Sequence, residues 1–127
     1  MSELAVPYVL DDGEGEVMRW LGATVTVKAS GPSFDLALAI AVAGGEPALR
    51  SHPDHDKGLL VLEGELTIVA GDEVLAAPAG SFAFLPRGVP HTIAVESGRA
   101  RVALILSPAG AISTDDDHQF PRKENAS

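Results

Sequence analysis

Between Arg50 and Lys57 the chain reads Arg50-Ser-His52-Pro-Asp-His55-Asp56-Lys57, and a later stretch, Pro86-Arg-Gly-Val-Pro90-His91, adds a further imidazole. A guanidinium grips carboxylates or phosphates through two parallel hydrogen bonds, an ammonium acts as a point cation, and imidazoles titrate near neutrality or ligate metals. Arg50, His52, Lys57 and His91 would therefore form an anion site with built-in acid and base groups, provided the fold makes them converge. Residues two apart on a strand share a face, so Arg50 and His52 point the same way if that stretch is extended. His55 is three beyond His52 and follows Pro53, where the chain is already turning, so it is expected as a solvated loop histidine. His118 lies in a polar tail and carries no expected role.

The elements that must position these groups are short strands. From residue 23 onward, apolar or alternating runs are separated by turn residues roughly every ten positions, the pattern of a sandwich or barrel. The runs are Ala23 to Lys28, Phe34 to Val42, Leu59 to Leu62, Glu65 to Val69, Val74 to Ala77, Ser81 to Leu85, His91 to Glu96 and Arg101 to Leu106. Helical periodicity is nearly absent, and there is no internal repeat of fixed period. An antiparallel set of this kind closes into an all-β double-sheet jelly roll with a ligand cavity between the sheets. The expected organisation is an arm over 1–22 that wraps the barrel or a partner subunit, a barrel over 23–113, and a mobile polar tail over 114–127.

Composition excludes several function classes. At 127 residues there is one domain, and 46% hydrophobic with 21% charged residues describes an ordered soluble chain. A formal charge of -9 would repel a phosphate backbone, so no nucleic-acid partner is expected. No apolar run reaches the roughly 20 residues of a membrane-spanning helix, and no membrane partner is expected. The absence of Cys removes disulfides, thiolate metal sites and a cysteine nucleophile. The first residues carry neither a basic nor a long apolar segment, which points to a cytoplasmic location.

Gly44, Arg50, His52, Lys57 and Gly64, followed by Gly80, Pro86, Gly88, His91 and Val95, resemble in spacing the two signature motifs of the cupin superfamily. Tyr8-Val-Leu, Trp20-Leu-Gly, Thr26-Val-Lys-Ala, Val61-Leu-Glu-Gly-Glu-Leu and Ser107-Pro-Ala-Gly110 extend the likeness to small, single-domain, quercetinase-like cupins. The resemblance implies a double-stranded β-helix, the jelly-roll barrel of that family. In members with the full motif, two His, a Glu and a last His hold a divalent transition metal. Here Arg50 stands for the first His, Lys57 for the Glu and Val95 for a closing Asn, leaving His52 and His91 as donors. A guanidinium has no free lone pair and an ammonium must first lose its proton, so no cofactor is expected. The alternative is one weakly held divalent metal (Fe, Ni, Zn or Mn) on His52 and His91, with His55 or water completing the shell.

The expected catalytic set is His52, His91, Lys57 and Arg50. Partial desolvation beside Arg50 would bias Lys57 toward its neutral form as a base or amine nucleophile, while Arg50 holds an anionic group and stabilises an enolate. The expected substrate-binding set is Arg50, Lys57, Phe34, Phe82, Phe84, Val61, Ile93 and Trp20, with Leu36, Leu38 and Val95 as lining or core and Met18 near the mouth. The competing placement of Arg50 and Lys57 is at the rim, paired with Asp54, Asp56 or Glu63. Three functions follow. One is a metal-independent cupin enzyme that isomerises, epimerises, dehydrates or cyclises a small anionic or aromatic metabolite. The others are a metal-dependent dioxygenase and a small-molecule binding module. A homodimer is expected in each case.

Overall fold

Alternation of apolar and polar residues along the chain produces nine strands in the computed structural model, which describes residues 6–20, 22–43 and 54–108. They are β1 (Glu16–Trp20), β2 (Ala23–Ser30), β3 (Asp35–Val42), β4 (Asp56–Glu63), β5 (Glu65–Ala70), β6 (Glu73–Pro78), β7 (Phe82–Leu85), β8 (His91–Val95) and β9 (Arg99–Ser107). No helix occurs among the described residues. The strands pair antiparallel into a six-stranded sheet, β1-β2-β3-β9-β4-β7, and a three-stranded sheet, β6-β5-β8. This is the all-β jelly-roll barrel that the pattern implies.

The core lies between the two sheets. Val25, Ala37, Leu59, Val61 and Leu106 come from the larger sheet, and Leu66, Ile68 and Ala77 from the smaller. Period-two alternation drives this: along β3 and β9 every second residue is buried and its neighbours are half-buried or exposed. Gly64, between β4 and β5, carries the chain from one sheet to the other with φ +87°. A Cβ there would stand 2.5 Å from the Arg99 carbonyl oxygen and 2.7 Å from Ser97 Oγ, so only glycine fits the turn.

The segment expected as an arm divides in two. Residues 16–20 form the edge strand β1 of the larger sheet, with Met18 packed on the core and Val17 turned out. Residues preceding β1 are tied to β2. The ladder shifts register between Val27 and Ala29, a bulge that releases Lys28. Lys28 Nζ donates to the carbonyls of Asp11, Asp12 and Glu14 at 2.9, 2.7 and 2.6 Å, which uses all three ammonium protons. The Tyr8 hydroxyl donates to the Lys28 carbonyl at 2.8 Å, and Arg101 on β9 pairs with Asp12 at 2.6 Å. The tail over 114–127 lies outside the described residues.

Candidate functional site

On β4 the inward parity is Lys57, Leu59 and Val61, and Lys57 is only 1% exposed. Its ladder partners are Leu85 on β7 and Leu106 on β9, and Leu106 in turn pairs with Asp35 on β3. Directly paired residues point to the same face, so Asp35, Leu106, Lys57 and Leu85 form one row across the inside of the larger sheet. Asp35 is fully buried, and the Ser30 hydroxyl donates to its Oδ1 at 2.6 Å.

His91 starts β8 and is also buried. It shares a row of the smaller sheet with Ala70 on β5 and Glu73 on β6. The two rows sit at the same end of the barrel, because Leu85, the partner of Lys57, runs directly through residues 86–90 into His91. His91 Nδ1 stands 3.2 Å from the Val89 carbonyl. A carbonyl only accepts, so Nδ1 carries a proton in this hydrogen bond, and in the neutral form of the ring Nε2 is then the lone-pair nitrogen. The turn before His91 is held from outside: Asp56 accepts from the Arg87 backbone N–H at 2.9 Å and from Arg87 Nε and Nη2 at 3.2 Å. The side-chain hydrogen bond from Arg87 holds the Asp56 carboxyl below its ordinary range.

Lys57 and His91 are thus brought to one end of the interior, and Val61 and Ile93 also face inward. Arg50, His52 and the Trp20 side chain lie outside the described residues. The three phenylalanines expected in the pocket are corrected: Phe34, Phe82 and Phe84 are 44%, 57% and 59% exposed. Phe82 pairs with Leu60 and Phe84 with Gly58, the outward residues of β4, and the Phe82 ring lies against Gly58, where a Cβ would meet it at 2.8 Å. Leu36 and Leu38 also fall on the outer parity of β3, opposite to Asp35, Ala37 and Ala39. His55 is corrected too. It is buried, 3% exposed, and has the same parity as Lys57 rather than standing in solvent. The rim placement does not describe Lys57: it is buried, while Asp56 engages Arg87 and Glu63 lies 3.9 Å from Arg101.

Asp35 was not among the expected site residues. Its signal was present in the alternation Asp35-Leu-Ala37-Leu-Ala39, which sets an acid on the same face as two small apolar residues. An open groove of about 440 Å³ is lined by Tyr8, Leu10, Lys28 and Leu38 among others, and Asp35, Lys57 and His91 are not among its lining residues.

Residues 38–107 match the protein family described as Cupin domain. Over 101 residues the chain is 34% identical to quercetin 2,3-dioxygenase of Bacillus subtilis (strain 168), covering 76% of this chain and 30% of that protein. The chain therefore spans less than a third of the length of this curated relative. The fold is similar to KdgF from Halomonas sp., with a TM-score of 0.76 at 16% identity over 85% of this chain and 99% of that one. It is also similar to a variant of Streptomyces PAC13 solved with uridine, with a TM-score of 0.70 at 17% identity over 83% and 84% of the two chains. Among the described residues, which do not include His52, no group of three or more His, Cys, Asp or Glu could hold a metal ion, and Lys57 is buried.

Proposed function

The chain belongs to the cupin family, and from that premise we propose that its barrel interior binds a small anionic or aromatic metabolite and transforms it by proton transfer without a metal. The observation that carries this reading is Lys57, 1% exposed on the inner face at the same end as His91. A buried ammonium stabilises negative charge far better than one in water, because the surrounding dielectric is low. Neutral His91 takes a proton at Nε2 from the carbon beside a carbonyl, the C–H electrons move to the carbonyl oxygen, and the Lys57 ammonium stabilises that enolate. For an α-hydroxycarbonyl substrate, transfer of the hydroxyl proton to the enolate oxygen and return of the carbon-bound proton to the former carbonyl carbon complete an isomerisation, the old hydroxyl becoming the new carbonyl. Protonation of the original carbon from the opposite face by a second acid completes an epimerisation. Arg50 and His52, read from the sequence, supply the anion clamp and a second acid or base. Relatives whose names or bound molecules are quercetin and uridine support a small-molecule substrate.

Proton NMR in D2O with a panel of enolisable carboxylates tests this. The expected result is deuterium incorporation that survives chelator treatment and falls at least about a hundredfold in His91→Ala, the usual worth of a general base. No exchange across the panel, or exchange abolished by the chelator, defeats the reading.

A second reading, oxygenase chemistry at a metal on His52, His91 and His55, is favoured by the burial of His55 on the Lys57 side of the chain. Metal analysis of untagged protein separates the two. We also propose a homodimer through the outer face of the larger sheet, where Leu60, Leu62, Phe82, Phe84 and Ile105 stand exposed on neighbouring strands.

A further inference from the structure

We propose that Asp35 is the internal counter-ion of Lys57 and competes with any anion that enters the barrel. This builds on the reading of Lys57 as an anion-binding group. The two side chains are 0% and 1% exposed, carry opposite formal charge, and belong to one inward row in which Leu106 is the residue between them. Neighbouring strands are about 4.8 Å apart, so the two Cα atoms are roughly 10 Å apart across β9. Ordinary bond lengths let a lysine reach about 6 Å and an aspartate about 3 Å from Cα, so the head groups are within reach of one another over Leu106. The lysine stem then packs along that leucine, as long cationic side chains do on apolar surface.

Charge removed so completely from water is retained where an opposite charge offsets the desolvation. Ser30 approaches Asp35 from β2, on the side away from β9, and its 2.6 Å hydrogen bond orients the carboxylate. A ligand carboxylate or phosphate therefore competes with the Asp35 charge for the ammonium. Asp35 sets how strong an anion the interior accepts, and it is a positioning residue rather than a group that reacts.

Urea unfolding of Asp35→Asn, Lys57→Met and the double variant tests the pairing. Each single change is expected to raise the unfolded-to-folded ratio about tenfold or more, and the double change to raise it at least about tenfold less than the product of the two. Additive effects overturn the pairing. Asp35→Glu, which keeps the carboxylate, is expected to recover most of the stability lost in Asp35→Asn; failure to do so counts against a role for charge. If Asp35→Asn does not fold, folding of the double variant supports the pair, and failure of the double variant while Lys57→Met folds overturns it.

Calorimetric titration with inorganic phosphate reads the competition. Asp35→Asn is expected to bind phosphate several-fold more tightly than the unaltered protein, and Lys57→Met to lose binding. Equal affinity in the unaltered protein and Asp35→Asn overturns the competition. Absence of phosphate binding in every variant overturns it together with the anion-site reading, while the unfolding coupling decides the pairing by itself.

Discussion

Asp56 and Arg87 fasten the start of β4 to the turn that delivers His91: one carboxylate accepts from the Arg87 backbone N–H at 2.9 Å and from two guanidinium nitrogens at 3.2 Å. The outward neighbour of Lys57 thereby controls the loop that leads to the second interior group. Its pairing also raises the Arg87 pKa, through the side-chain hydrogen bond to Asp56.

A depressed carboxyl pKa in the folded state adds stability above the ordinary aspartate value, and that stability is lost as pH falls through the folded value. The window lies below about pH 4, near the reference value for aspartate. Asp56→Asn is expected to lower the melting temperature modestly at pH 7, where this contribution is fully present, and to converge on the unaltered protein at the acid end, so that the acid limb flattens; the effect is small because the pair is exposed. Thermal melts between pH 2.5 and 7 check it; an unchanged acid limb contradicts the role given to Arg87.

On the proposed metal-independent reading, purified, untagged protein is expected to carry substoichiometric metal, because the buried Lys57 ammonium would oppose a dication beside His91. The double change Arg50→His with Lys57→Glu rebuilds the family's four-donor pattern and is expected to gain a divalent metal and lose anion binding. Arg50→Met alone is expected to weaken anion binding by about 1.5–3 kcal/mol, the worth of hydrogen bonds to a charged group. Elemental analysis and calorimetry read these outcomes, and one tightly bound metal per unaltered chain would sink the first.

Gly64→Ala is expected to destabilise the fold by roughly 1–3 kcal/mol from the positive φ alone, with the clash against the Arg99 carbonyl adding to it. Denaturant unfolding measures this. A loss no larger than that of an ordinary surface substitution would mean that the β4–β5 turn relaxes freely.

Light scattering at micromolar concentration is expected to give the mass of a dimer, and Phe82→Glu, on the outer face, to give a monomer with the barrel intact. A monomer in the unaltered protein refutes the proposed interface.

By itself the sequence determined that the chain is all-β and approximately where its strands run, and it singled out Lys57 and His91, both of which are buried. Strand periodicity and turn residues are local signals, and the motif spacing ties distant segments together without any coordinates. Strand β1 was not legible, because a short segment in which Met18 supplies the core contact becomes a strand only when β2 offers it a ladder. Parity along a single strand shows which residues share a face but not which face turns inward. Phe82 and Phe84 looked like pocket lining, yet register with Leu60 and Gly58 sends them out and turns Ala83 and Leu85 in. The burial of His55 and the row joining Asp35 to Lys57 were likewise decided by tertiary pairing. The row depends on β9 lying between β3 and β4, a contact between segments far apart in the chain that no local pattern encodes.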